Sequence, residues 1–210
     1  MQPFSFQQTE ISGLIVIQPF IAPDKRGYLM KSFERNVFAE HGIDLTPYEE
    51  IASCSQKGVL RGLHFQREHC QDKLVRVLHG AVYDVAVDLR RDSPTFGMWR
   101  GFTLSAQNQT MLYIPKGFAH GFLALEEGSV MNYLLGAQYV KEADGGIVWN
   151  DPELAICWPV EQVDELLIAE KDRMLPSFST FRAAWGGLPC KVGVTSVSYT
   201  HLRAHETDQY

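Results

Sequence analysis

Residues 58–66 read GVLRGLHFQ, and the placement of this segment decides the fold. Its spacing is that of a strand, where successive side chains point to opposite faces. Leu63 and Phe65 then share one face, and Gly62, His64 and Gln66 share the other. A small residue, an imidazole and an amide stand together inside an otherwise apolar strand. Such a histidine is either a hydrogen-bonded core residue or a group held for chemistry. Arg61 lies three residues before His64, so a regular strand puts the two on opposite faces. They can serve one ligand only if Gly62 allows a bulge, or if Arg61 reaches a second chain.

Similar short apolar runs recur on both sides of this segment between turn signals: GLIVIQP, GYLMKSF, KLVRVL, AVYDVAVDL, GFTLSA, TMLYIP, GFLAL and VMNYLL. KLVRVLHGAVYDVAVDL divides into two strands at His79-Gly80. In the second, Tyr83, Val85, Val87 and Leu89 share one face, and Val82, Asp84, Ala86 and Asp88 the other, a period of two. Helical signals are few: NVFAEHG, and a stretch after Pro159 running through EQVDELLIAEKD. Many short strands with sparse helix predict an all-β sandwich or barrel.

The chain has 210 residues, 45% hydrophobic and 21% charged, which suits one soluble domain with a sizeable core. A net charge of −6 argues against a general nucleic-acid or anionic-membrane binder, while leaving room for a local basic pocket. No apolar run approaches the roughly 20 residues of a membrane helix, and the N-terminus lacks the pattern of a signal peptide. Four scattered cysteines, Cys54, Cys70, Cys157 and Cys190, include no CxxC pair and fit reduced thiols in the cytoplasm. The expected domain is 1–188. Residues 189–210 are expected to be a non-native or disordered tail: SVSYTHLRAHETDQY, with His201 and His205, has no apolar period and resembles the translation of a sequencing-adapter read-through.

The polar groups in apolar surroundings are His64, His120 and Tyr133; Lys73 and Asp172 gain interest only beside them. Tyr133 shares a face with Met131 and Leu135, where a core tyrosine is the ordinary reading. In PKGFAHGF, Pro115 and Gly117 make a turn that feeds His120 onto the next strand. Pro-x-Gly-x-x-His is a pattern seen in cupins, small double-sheet barrels of which many hold a metal through an HxH pair. Here residue 66 is Gln66, so there is no such pair, and no metal site is expected.

Together DKRGY, GVLRGLHFQ, KLVRVLHGAVYDVAVDLRRDSPTFG, YIPKGFAHGF, GGIVWNDPEL and EKD, spread from about Ile11 to about Pro176, resemble the dTDP-4-dehydrorhamnose 3,5-epimerase family. The resemblance implies a cupin-type double-sheet jelly roll with a few short helices. It implies a nucleotide-linked 4-keto-6-deoxy-hexose as substrate, inverted at C3 and C5 through an enolate, with no metal and no redox cofactor. By the same resemblance His64 is the base, Asp172 the carboxylate that orients it, Lys73 the cation at the enolate oxygen and Tyr133 the acid on the opposite face. Arg26, Arg61, His120 and Lys171 match positions that hold the diphosphate or the sugar. Tyr139 matches the ring that stacks on the base, and Asp144 stands where the family usually has Glu. Exchange of N-terminal strands implies a homodimer. Lys31 replaces an acid of the family pattern, and Glu49, Glu50 and Ile51 replace QDN, so the recognition rim departs while the chemical centre is intact. The alternatives are a relative that inverts one centre or uses another nucleotide, a metal-dependent cupin oxygenase, and a non-catalytic sugar-binding cupin.

Overall fold

The computed structural model of the chain describes residues 1–191. The tail expected from residue 189, with His201 and His205, lies outside the described residues from position 192 onward. The described chain begins with β1 (Ser5–Gln8), β2 (Ile15–Gln18), β3 (Phe20–Asp24) and β4 (Gly27–Lys31), followed by α1 (Arg35–Glu40). Next come β5 (Glu49–Ser55), β6 (Val59–Gln66), β7 (Lys73–His79) and β8 (Ala81–Asp88). They are followed by β9 (Trp99–Ser105), β10 (Met111–Ile114), β11 (Phe118–Ala124) and β12 (Ser129–Leu135). The described residues finish with β13 (Asp144–Gly146), β14 (Leu167–Ile168), α2 (Glu170–Arg173) and α3 (Phe178–Trp185).

Two sheets form the body. One has the order β1-β2-β10-β7-β12-β5, and the other the order β13-β6-β11-β8-β9, with β14 added along β6. The strands β3 and β4 form a separate hairpin, and Ile21 of β3 also bridges to Gln2 near the N-terminus. β7 and β8 are joined at Gly80, as the sequence indicates, yet they do not pair. β7 lies between β10 and β12, and β8 between β11 and β9. Gly80, at φ +72°, therefore turns the chain from one sheet to the other.

The period-two pattern has a packing cause. Val75, Val77, Leu112, Ile114 and Met131 of the first sheet interdigitate with Val82, Ala86, Phe118, Phe122 and Ala124 of the second. That is the core between the sheets. The outer face of the second sheet is covered in turn: Leu63, Phe65, Val85 and Val87 pack under Trp158, Phe178 and Phe181. The outer face of the first carries Ile15, Ile17, Leu74 and Met111 against Phe38 of α1. Each fully buried side chain of this size contributes roughly 1.5–3 kcal/mol through burial. Both faces of β8 are buried, which is why its alternation reads almost without polar residues except Asp84 and Asp88.

Asp88 anchors the end of β8. Its carboxylate accepts from the Arg90 guanidinium at 2.9 and 2.7 Å, and from Ser93 and Thr95. Part of the family-like stretch DLRRDSPTFG is thus structural. The helix expected after Pro159 forms only at its end, as α2: before it, a single 3-10 turn (Val160–Gln162) is followed by extended chain. Leu167 and Ile168 pair in parallel with Val59 and Leu60, so the chain must stay extended to follow β6. The helix α3 was not anticipated. Its signals were present: Ser177 caps it by accepting from Thr180 N–H, and Gly186 ends it at φ +62°.

Candidate active site

His64 sits on β6, and the chain that follows β6 through β14 brings α2 to its back. Asp172 of α2 is buried and holds His64 Nε2 at 2.9 Å through Oδ1. Its other oxygen, Oδ2, accepts from Gly62 N–H at 3.1 Å. A carboxylate can only accept here, so Nε2 carries the proton of the neutral ring and Nδ1 keeps the lone pair. Gly62 also resolves the position of Arg61. The pairing of β6 with β11 shifts register between His120↔His64 and Phe122↔Arg61, and Gly62 has φ +104°. A Cβ there would lie 2.6 Å from the His120 carbonyl oxygen. The bulge turns Arg61 to the same cavity as His64 within one chain.

This cavity, of about 490 Å³, lies between the sheets. The second sheet supplies Arg61, His64, Gln66 and His120; the first supplies Lys73, Tyr133 and Leu135 with Glu49 and Ile51. The register explains the grouping: Leu135 lies opposite Lys73, and Tyr133 opposite Val75 on one side and Ile51 on the other. Burial pulls the Lys73 ammonium down to about 8, against the opposing fields of Asp84, Asp144, Cys70 and Asp72. Burial likewise pushes the Tyr133 phenol above its ordinary value, outweighing the opposing influence of Ser53. The phenol therefore holds its proton throughout the neutral range, as a proton donor must. Tyr133 also packs on the core between the sheets, as the ordinary reading of its strand face expects.

Tyr139, Asp144, Lys171 and His120 line the same cavity. His120 is buried, and its Nε2 meets Asp84 Oδ2 at 2.7 Å. Asp84 was not singled out from sequence. The signal was its place on the Val82–Ala86 face of β8, where a carboxylate faces the core between the sheets. Gln66, on the face of His64, carries no metal-binding imidazole but has another use. Its amide holds the loop that carries Tyr139: Oε1 accepts from Val140 N–H, and Nε2 donates to the Gln138 carbonyl.

Of the four departures at the rim, Glu49 and Ile51 line the cavity, and Glu49 accepts from Tyr139 N–H at 2.9 Å. Glu50 points away and accepts from Asn132 Nδ2. Lys31 pairs with Glu34 on the separate hairpin. The structure does not bring Arg26 to the cavity: it is exposed at the tip of that hairpin and bonded to Asp24. Among the described residues, no group of three or more His, Cys, Asp or Glu side chains is placed to hold a metal ion.

Residues 8–180 match a family model described as dTDP-4-dehydrorhamnose 3,5-epimerase. A protein of that name from Methanothermobacter thermautotrophicus is 49% identical over 173 residues, covering 82% of this chain and 94% of the relative. One from Escherichia coli is 47% identical over 171 residues, covering 80% and 91%. Among solved structures, dTDP-6-deoxy-D-glucose-3,5-epimerase from Legionella pneumophila, in complex with dTDP-4-keto-L-rhamnose, superposes with a TM-score of 0.84. It is 39% identical and covers 90% of this chain and 100% of that one.

Proposed function

The chain belongs to the dTDP-4-dehydrorhamnose 3,5-epimerase family, and from that premise we propose how its own residues carry the isomerase reaction. The substrate is a dTDP-linked 4-keto-6-deoxy-hexose whose C4 ketone acidifies the protons at C3 and C5. His64, oriented by Asp172, removes one of these protons through Nδ1. Lys73 stabilises the enolate oxygen that forms, a role worth about 10²–10³ in rate. Tyr133 returns a proton from the other face. Repetition at the second carbon gives dTDP-4-dehydro-L-rhamnose.

The observation that carries this reading is the origin of the two groups. His64 and Tyr133 come from different sheets that face each other across one cavity. A ligand between the sheets meets a base on one side and a phenol on the other, which inversion requires. Apolar walls, including Phe65, Phe122 and Leu135, limit water around the enolate.

Arg61, His120, Lys171, Tyr139 and Asp144 hold the diphosphate, the sugar and the base. Arg26 joins them from a second copy: its hairpin makes no strand pairing with either large sheet, which suits strand exchange in a homodimer. Among the described residues no helix is long and apolar enough to cross a membrane, and the same reading places the enzyme in the cytoplasm. The expected domain of 1–188 is extended by Cys190, whose side chain packs against Gly117 and Cys70. A second reading, inversion of one carbon or use of another nucleotide, draws on Glu49 and Ile51 at the rim.

NMR in D₂O with dTDP-4-keto-6-deoxyglucose tests these readings. Deuterium at both C3 and C5 with the L-rhamno product is expected. Exchange at one carbon alone would favour single inversion, and no exchange would overturn the dTDP-sugar reading and leave only the use of another nucleotide. In Tyr133→Phe, exchange should persist while inversion falls further.

A further inference from the structure

The loop between β6 and β7 leaves the base-bearing strand at Gln66 and reaches Lys73. It carries Cys70, whose Sγ lies 2.8 Å from the Sγ of Cys190, 120 positions later. Both thiols are free and half-buried. The approach is closer than an ordinary sulfur contact, although longer than the roughly 2.05 Å of an S–S bond. It is held from both sides by groups other than the thiols. Cys70 Sγ sits against the carbonyls of Gln66 and Arg67, at 3.3 and 3.6 Å, within the turn after β6. Leu188, two residues before Cys190, is buried and docks by backbone: its N–H donates to the Leu89 carbonyl at 2.7 Å, and its carbonyl accepts from Arg91 N–H at 3.0 Å. Cys190 Cβ then packs over Gly117, 2.8 Å from where a Cβ on that residue would stand.

We propose that Cys70 and Cys190 are a redox-modification site, closed to a disulfide by a small-molecule disulfide such as oxidised glutathione. Cys70 thiolate attacks one sulfur of glutathione disulfide, the S–S bond breaks, and one glutathione thiolate leaves. Cys190 then loses its proton and attacks Cys70 Sγ in the mixed disulfide, expelling the second glutathione thiolate. The two protein thiols are oxidised by two electrons, one disulfide is reduced to two thiols, and the cysteine protons pass to the leaving thiolates. The geometry assigns the order of attack. Cys190 donates its S–H to Cys70, and that hydrogen bond holds the Cys70 thiol below its ordinary value, with Lys116 and Lys73 acting in the same direction. Such electropositive, partly exposed thiols are the reactive ones. The bridge ties the loop leading to Lys73 to the C-terminal segment and closes a long covalent loop, which restricts the unfolded chain most.

The test uses the full chain, reduced and then equilibrated in glutathione buffers of increasing oxidation. Peptide mapping should find a Cys70–Cys190 cross-link. The melting temperature should rise by several degrees, and dithiothreitol should reverse both changes. Cys70→Ser and Cys190→Ser should each abolish the rise, and Cys190→Ser should leave a glutathione adduct on Cys70. Cys70→Ala and Cys190→Ala repeat the comparison if a serine variant folds poorly. Separate glutathione adducts on both residues without a cross-link, or pairing of either with Cys54 or Cys157, would overturn the proposal.

Discussion

The molecule contains two histidine–aspartate pairs that face one cavity, His64–Asp172 and His120–Asp84, and they are built differently. The His64 side chain keeps 33% exposure over an aspartate that keeps 3%. His120 keeps 6% over an aspartate that keeps none. Asp172 uses both oxygens, one for the imidazole and one for Gly62 N–H. Asp84 uses one for the imidazole, and its Oδ1 is buried without a hydrogen-bond partner. His64 and His120 are register partners on adjacent strands, so the difference lies in what surrounds each ring. The first pair presents an oriented imidazole to a ligand. The second places a buried negative charge within the field of Lys73 and Tyr133. Under the proposed mechanism the first pair would move a proton and the second would set the charge around that event.

The largest effect should come from removing the imidazoles. His64→Asn should lower kcat by up to about 10⁴, the upper end of general-base catalysis, while dTDP binding is retained. His120→Asn loses one contact to the ligand and should cost about tenfold, mainly in KM, near the worth of one hydrogen bond. Steady-state kinetics with titration calorimetry of dTDP would check both. Equal kcat losses in the two variants would erase the distinction between the pairs.

The next effect comes from the carboxylates. In Asp172→Asn the amide oxygen must take Gly62 N–H, which can only donate. The amide nitrogen then donates to His64 Nε2, so the ring proton moves to Nδ1 and the basic lone pair leaves the cavity side. The expected loss is about 10²-fold in kcat with a folded protein, a wrong-tautomer effect. Asp84→Asn keeps an acceptor for His120 and should cost less than about tenfold. A larger loss in Asp84→Asn than in Asp172→Asn would reverse the assignment.

The roles of these pairs were unequally legible in the sequence. His64 stood out because an imidazole interrupts an apolar strand, and Asp172 became meaningful through the family resemblance. Asp84 hid inside a clean period-two strand, where sequence alone does not tell which face meets a cavity. The sandwich followed from strand density and the Gly80 break, but that β7 and β8 belong to opposite sheets depends on long-range pairing. The stretch after Pro159 carried helix-forming residues, yet its tertiary role as a partner for β6 overrode propensity. Cys70 and Cys190 meet only because the C-terminal segment docks beside Leu89. Arg26 matches a binding position of the family, yet the structure leaves it exposed at the hairpin tip and bonded to Asp24.

A smaller effect lies in the pH profile. Lys73 titrates near 8, and Asp84 is the strongest influence raising it. The enolate needs the ammonium, so kcat/KM should fall as pH rises through about 8. Removing the Asp84 charge lowers the Lys73 value further, and the falling limb in Asp84→Asn should therefore move to lower pH. Asp172→Asn should leave that limb nearly in place, because Asp172 is not among the largest influences on Lys73. Profiles of kcat/KM between pH 6 and about 10 would show the contrast. An unmoved limb in Asp84→Asn would mean that the second pair does not set the Lys73 charge.

The smallest effect should be on stability, where the two carboxylates converge despite their different chemistry. In Asp172→Asn both hydrogen bonds survive with roles rearranged, since His64 can exchange tautomers to accept from the new amide. In Asp84→Asn the bond to His120 survives, and the unpaired Oδ1 is replaced by an equally unpaired amide nitrogen, so one unsatisfied buried group is exchanged for another. What changes is the buried charge. Its removal relieves desolvation, and the attraction to Lys73 is lost at the same time. These terms oppose each other, and each variant should stay within about 1 kcal/mol of the parent, or roughly 2–4 °C in melting temperature for a chain of this size. Differential scanning calorimetry at pH 7 decides the matter. A drop of more than about 10 °C in Asp84→Asn would show that the carboxylate fastens the core between the sheets, and its activity loss would then report unfolding instead of lost charge. An unchanged melting curve beside a moved pH limb would separate the electrostatic role of Asp84 from any structural one.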